Sequence, residues 1–213
     1  MTNYYIEKDN KIILFDEDKQ KLQNTIAFMP QYEGLEIKEV QEGYVIYDFE
    51  LMTVEEKEAK EAQQERERIA KLKLTKREVF LGLYQAKQVT PDMIKAQITD
   101  PQALIEFEYA NDYYRGNPLI DVIGGQLGFT SEQLDKFFET KDYKYLTTCT
   151  LTVNATPIEA TVTGAGDYPY GTIVDVVVEC EGYITHTETV TLTEDKTLNI
   201  TLDEVTDETN INL

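Results

Sequence analysis

One stretch limits what this chain can fold into: Thr53–Leu74, TVEEKEAKEAQQERERIAKLKL. It opens on Thr-x-x-Glu (Thr53, Glu56), the reciprocal capping box that satisfies two orphan amides where a helix starts. Glu, Lys, Ala, Gln and Arg follow, all strong helix formers, with no Gly or Pro to stop the run. Glu56–Lys60 and Glu67–Lys71 set opposite charges four residues apart in the supportive orientation. A wide apolar stripe is missing. Between Ala59 and Arg68 no apolar residue is larger than alanine, so this part cannot bury itself against a core. Helices polar nearly all round bridge two domains or pack along a narrow seam with copies of themselves. Fully helical, 53–74 would span roughly 33 Å at about 1.5 Å per residue. It is read as a spacer between unlike modules, with Ile69, Leu72 and Leu74 anchoring its C-terminal end.

Residues 1–52 read as a small β-rich module. The segments 3–7 and 11–15 are rich in Tyr and Ile and flank Lys8-Asp9-Asn10, a turn signal. Leu22, Ile26 and Phe28 stand at helical spacing within 16–28. The segments 35–40 and 43–51 read as a hairpin around Gln41-Glu42-Gly43. A module of this size has a thin core. Asp16-Glu17-Asp18 lacks the glycine and closing glutamate of a calcium loop and is expected to be a solvated turn.

Residues 75–140 carry the best-marked helix starts. Thr75-x-x-Glu78 and Thr130-x-x-Gln133 are capping boxes. Thr90-Pro91, Asp100-Pro101 and Asn117-Pro118 each set a capping residue before proline at the first helical position. Apolar residues follow each start at helical spacing, so five short helices in a compact bundle are predicted. Gly124-Gly125-Gln126-Leu127-Gly128 is expected to end a helix with glycine as its cap, because the strand and lysine of a phosphate loop are missing.

Residues 141–146 read as a linker and 147–203 as a β-sandwich, since Thr and Val dominate there and apolar residues alternate with polar ones. Strands are predicted at 147–153, 159–163, 172–180, 183–192 and 197–202, arranged as an antiparallel sandwich. Residues 204–213 read as an acidic tail. The expected fold class is α+β and multi-module: β-rich module, polar helix, helical bundle and antiparallel β-sandwich.

Forty acidic against twenty basic residues leave a formal charge of −20. Such a surface repels phosphate backbones, so no nucleic-acid partner is expected, and a basic partner surface is the sharper implication. The first twenty residues show no signal peptide, and no run approaches the ~18 apolar residues of a membrane helix. No membrane insertion is expected. Cys149 and Cys180 fall in phase with strand apolar residues and are read as structural thiols rather than a bridge.

Little in the chain suggests catalysis. The single serine (Ser131) and single histidine (His186) fall in different predicted modules, so a Ser-His triad is not expected. No catalytic, cofactor-binding or metal site is predicted, and the protein is read as a non-enzyme. The one candidate interaction site is Tyr109, Tyr113, Tyr114 and Arg115. Aromatic residues with arginine compose binding hot spots, but the same cluster closes a helix against its neighbour. Core packing is the preferred of the two readings.

The segments LTVNATPIEATVT and YPYGTIVDVVVECEGYITHTETVTLTEDKTLNITL resemble a PEGA domain, over about a quarter of the chain. Pro157, Ala160 and Val162 match its Pro-x-x-Ala-x-Val pattern. Tyr170-Gly171-Thr172 matches its turn, and Gly182-Tyr183 its hairpin. Thr163-Gly164-Ala165-Gly166 stands where the family has an Asn/Asp-Gly hairpin. The resemblance implies a non-catalytic, surface-exposed module that binds or spaces. Upstream, about 4–139, with KREVFLGLYQAKQVTPDMIKAQITDPQALIEFEYANDYYRGNPLIDVIG, is similar to uncharacterised proteins of tailed bacteriophages. That likeness implies a structural or accessory protein of the virion, in tail, baseplate or attached to the capsid. Its expected partners are other virion proteins, in an oligomeric arrangement, with a host-surface glycan as a further candidate. The expected location is the virion, and the host cytoplasm during assembly. An assembly chaperone or adaptor not retained in the particle, or a soluble glycan-binding module, are the alternatives.

Overall fold

The computed structural model describes residues 3–205, which divide into two compact units between Arg68 and Ile69. Among the described residues, seven α-helices and thirteen strands in several small sheets make a mixed α+β architecture.

In the first unit, β1 (Tyr4–Lys8) and β2 (Lys11–Asp16) form the predicted hairpin. Asp9 and Asn10 take φ of 54° and 59°, the left-handed pair that a two-residue hairpin turn requires. The acidic run is an exposed bend, in which the Asp18 amide donates to Asp16 at 3.0 Å, and it also starts a helix. Asp18 caps α1 (Lys19–Phe28), accepting from the Gln20 and Lys21 amides at 2.8 and 3.3 Å. Asp16 pairs with Lys21.

The predicted hairpin between 35–40 and 43–51 does not form. β3 (Ile37–Glu39) pairs with β1, giving the order β2-β1-β3. β4 (Tyr44–Tyr47) turns back through Asp48 and Phe49 to pair with β5 (Glu50–Thr53). Phe49 sits at φ 61°, a conformation its residue type disfavours, and this hid the turn from the sequence. Its ring packs edge-on against Phe15 with centroids 5.5 Å apart, a contact that offsets part of the backbone strain. The core is thin: Tyr5, Ile6, Ile12, Leu22 and Met52 are its buried apolar side chains.

The polar helix is α2 (Val54–Ala70), and its capping box forms. The Thr53 amide donates to Glu56 at 2.8 Å, and the Glu56 amide donates to the Thr53 hydroxyl at 3.1 Å. No residue of α2 is buried. The hairpin β4–β5 meets it through Tyr47, whose ring lies 5.7 and 5.5 Å from the Lys57 and Lys60 ammonium groups. The Tyr47 hydroxyl donates to Gln64 at 3.0 Å. Lys60 pairs with Glu50 at 3.0 Å instead of Glu56, whose carboxylate serves the cap. The helix does not run to Leu74 as predicted. β6 (Lys73–Thr75) leaves it to pair with β7 (Asp112–Tyr114). Leu74 is fully buried there, which outweighs the few tenths of a kcal/mol per residue that helix propensity offers.

Five helices complete the first part of the second unit: α3 (Lys76–Lys87), α4 (Pro91–Lys95), α5 (Pro101–Tyr109), α6 (Pro118–Gln126) and α7 (Ser131–Thr140). All five are capped where the sequence indicated, by Thr75, Thr90, Asp100, Asn117 and Thr130. The glycine-rich stretch ends α6 as expected, but its first two glycines lie inside the helix. Gly128, at φ 79°, follows the helix end. Gly124 lies inside α6, where an added Cβ would stand 2.5 Å from the Leu134 side chain. Its absence lets α6 approach α7. Residues 141–146 are more than a linker, since Leu146 is fully buried in the helical core and Tyr145 packs edge-on against Tyr170 at 5.3 Å.

The strand part comprises β8 (Thr148–Thr156), β9 (Thr161–Thr163), β10 (Gly166–Pro169), β11 (Ile173–Glu179), β12 (His186–Thr191) and β13 (Lys196–Thr201). They form two three-stranded sheets, β10-β8-β13 and β12-β11-β9, over one shared core that includes Leu151, Val176, Val178 and Leu192. Two expectations fail: β10 lies where no strand is predicted, and β13 runs parallel to β8. A parallel pair needs a long crossover, and the four strands between β8 and β13 supply it. Both cysteines are free thiols. Asp203 and Val205 are bonded to Ile184 and Gly182, so 204–205 are not a loose tail; 206–213 lie outside the described residues. No described helix is long and apolar enough to cross a membrane.

Candidate functional site

The five helices converge on an apolar cavity of about 420 Å³. α3 contributes Val79, Phe80 and Leu83, α6 Ile120, Ile123 and Gly124, and α7 Leu134, Phe137 and Phe138. Each set recurs at three- or four-residue spacing, so one face of each helix supplies it. Helices of five to twelve residues joined by proline-started turns meet at their ends as well as their sides. A gap is left where they meet. A closed, dry void of this volume would cost on the order of 10 kcal/mol, comparable to the whole stability of a domain. This one opens outward, past Ile105, Tyr109 and Tyr114, which are 59%, 77% and 52% exposed.

The structure divides the four candidate residues. Tyr109, Tyr113 and Tyr114 all line the cavity. Tyr113 is buried in its wall, and its hydroxyl donates to the Phe107 carbonyl at 2.8 Å. Burial pushes that phenol up to about 12. Tyr109 and Tyr114 remain on the rim. Arg115 faces elsewhere, with 5% of its surface exposed. Its guanidinium holds Asp121 in a two-pronged pair at 3.0 and 2.9 Å, meets Asp135 at 2.6 Å and donates to the Ser131 hydroxyl at 2.6 Å. Burial alone would lower its pKa, but the two carboxylates raise it, and Arg115 in turn lowers that of Asp121. Arg115 is a tie between the end of β7 and the starts of α6 and α7. Core packing thus describes Tyr113 and Arg115, and a surface role is left to the other two tyrosines.

The sequence reading passed over Ile105, Glu106 and Asn117, which complete the mouth. One signal was available. Ile105 and Tyr109 stand four residues apart on α5, off the face that buries Phe107, so two large side chains of one helix had no inward place. Glu106 accepts from the Asn117 side chain at 3.5 Å. Its acidic neighbours are paired, Asp112 with Lys73 at 2.8 Å and Glu108 with Lys95.

No family model, curated protein or solved structure matches the chain. Its site is therefore read from geometry. Ser131 is engaged with Arg115 and Asp121, and His186 lies in β12 beside Glu188 at 3.6 Å. Among the described residues, no group of three or more His, Cys, Asp or Glu is placed to hold a metal ion. What the arrangement can do is receive an apolar group behind an aromatic rim.

Proposed function

We propose that this chain is a non-catalytic structural or accessory protein of a bacteriophage virion, attached through its helical part and displaying a PEGA-like β-sandwich. The observation that carries the attachment reading is the apolar cavity rimmed by Tyr109 and Tyr114. Exposed tyrosines beside an apolar pocket suit a protein partner, since they bring large contact area at low entropic cost. The sandwich reading is supported by two three-stranded sheets over one core of Cys149, Leu151, Val174, Val176 and Val178 with their neighbours. The virion setting rests on the sequence likeness of the upstream region.

Mass spectrometry of particles banded from an infected host tests the proposal. Stoichiometric peptides of this chain in the particles are the expected result. Abundant peptides in the lysate and none in particles would overturn it. That outcome favours an assembly chaperone or adaptor, a reading to which the net charge of −20 already lends support through a basic client.

A further inference from the structure

We propose that the cavity of the helical part receives the apolar side chains of a partner protein segment that carries a lysine or arginine next to them. The inference rests on the reading of this part as the site of attachment. Its volume of about 420 Å³ is that of a small-molecule site and exceeds the room one aliphatic side chain needs. Phe80, Leu83, Ile123 and Leu134 make walls without polar atoms, and the Tyr113 hydroxyl is already given to Phe107. An occupant therefore meets mainly apolar surface inside.

The mouth is different. Among the described residues no Lys or Arg pairs with Glu106, whereas Lys73 and Lys95 neutralise Asp112 and Glu108 beside it. Glu106, bonded to the Asn117 side-chain amide but to no cation, stands at the entrance of an apolar pocket in a chain of charge −20 and so complements a cation. A fatty acid would bring its own carboxylate against Glu106. An apolar anchor with a basic neighbour meets both conditions, and Tyr109 and Tyr114 flank it as aromatic contacts.

The test pans a random peptide library against the full chain and titrates the selected peptides by fluorescence anisotropy. The expected peptides share two or more large apolar residues beside Lys or Arg. Ile120→Trp, which fills the cavity, should weaken them about tenfold or more, as loss of a hot-spot pocket does. Glu106→Lys lies at an exposed position, leaves the fold intact and should shift selection toward acidic flanks. Peptides without a basic flank, or binding unchanged in both variants, would overturn the inference. So would tight binding of Nile red, a neutral apolar dye, that no peptide displaces, since that marks a small-molecule site. Stoichiometric presence in particles with no peptide selected sinks this inference alone. Selected peptides with absence from particles sink the virion reading alone.

Discussion

Helices α2 and α7 both begin with a reciprocal capping box, yet the seventeen residues of α2 bury no side chain, while the ten of α7 bury Gln133, Leu134, Phe137 and Phe138. Length and capping therefore say where a helix starts, and apolar spacing says what holds it. α2 keeps its helix through propensity and charge pairs, and the Tyr47 ring and the Lys60–Glu50 pair attach it to its hairpin. α7 is held by packing. The two arginines near these helices repeat the contrast. Arg68 pairs with Glu65 at 2.7 Å in a half-exposed setting, whereas Arg115 has its own side chain almost out of water while its partners Asp121 and Asp135 reach the surface.

The sharpest break of this comparison is Phe137→Ala, in a side chain 2% exposed. It should cost about 3–5 kcal/mol of stability in urea unfolding of the second unit, as large-to-small core changes do. Arg115→Ala removes a nearly buried guanidinium with its bonds to Asp121, Asp135 and Ser131, and should cost about 2 kcal/mol. Arg68→Ala should cost at most about 0.5 kcal/mol, because an exposed pair is screened. Equal losses for the two would refute the contrast. Next in size, Thr130→Ala should lower stability by about 1 kcal/mol. The matching Thr53→Ala should instead fray the first turn of α2, read as faster amide exchange at Glu55 and Glu56.

The smallest effect concerns pH. Lys141, at the C-terminal end of α7, bonds Glu78 at 2.8 Å, and the Thr75 amide donates to the same carboxylate at 2.7 Å. Together they lower its pKa from 4.5 to about 2. A depressed carboxylate adds stability above its unfolded pKa and loses it as pH falls through the folded one. The melting-temperature advantage of the native chain over Glu78→Gln should therefore be full above pH 4.5 and vanish near pH 2. An advantage that persists below pH 2 would exclude this origin.

Elements set by neighbours in the chain were legible beforehand. The five helix starts from Thr75 to Thr130 depend on one side chain and the next three amides, and the Asp9-Asn10 turn depends on two residues that tolerate positive φ. Gly82 carries no such local signal: an added Cβ would stand 2.4 Å from the Phe137 ring, a closeness that only the packed pair defines. Likewise the turn at Asp48 and Phe49 depends on Phe15, far away in sequence.

By itself, then, the sequence determined where α2 to α7 begin, that a helix opening at Thr53 would lack a buried face, and which strand residues would point inward, because these follow from local bonding and periodicity. Tertiary structure alone decided that Leu74 leaves the helix to pair beside Tyr113, that β13 lies parallel to β8, that Arg115 turns inward and that a cavity opens behind Tyr109 and Tyr114. Each of these depends on surfaces that meet only after the chain has closed on itself, where burial of one side chain outweighs the small preferences of the residues around it.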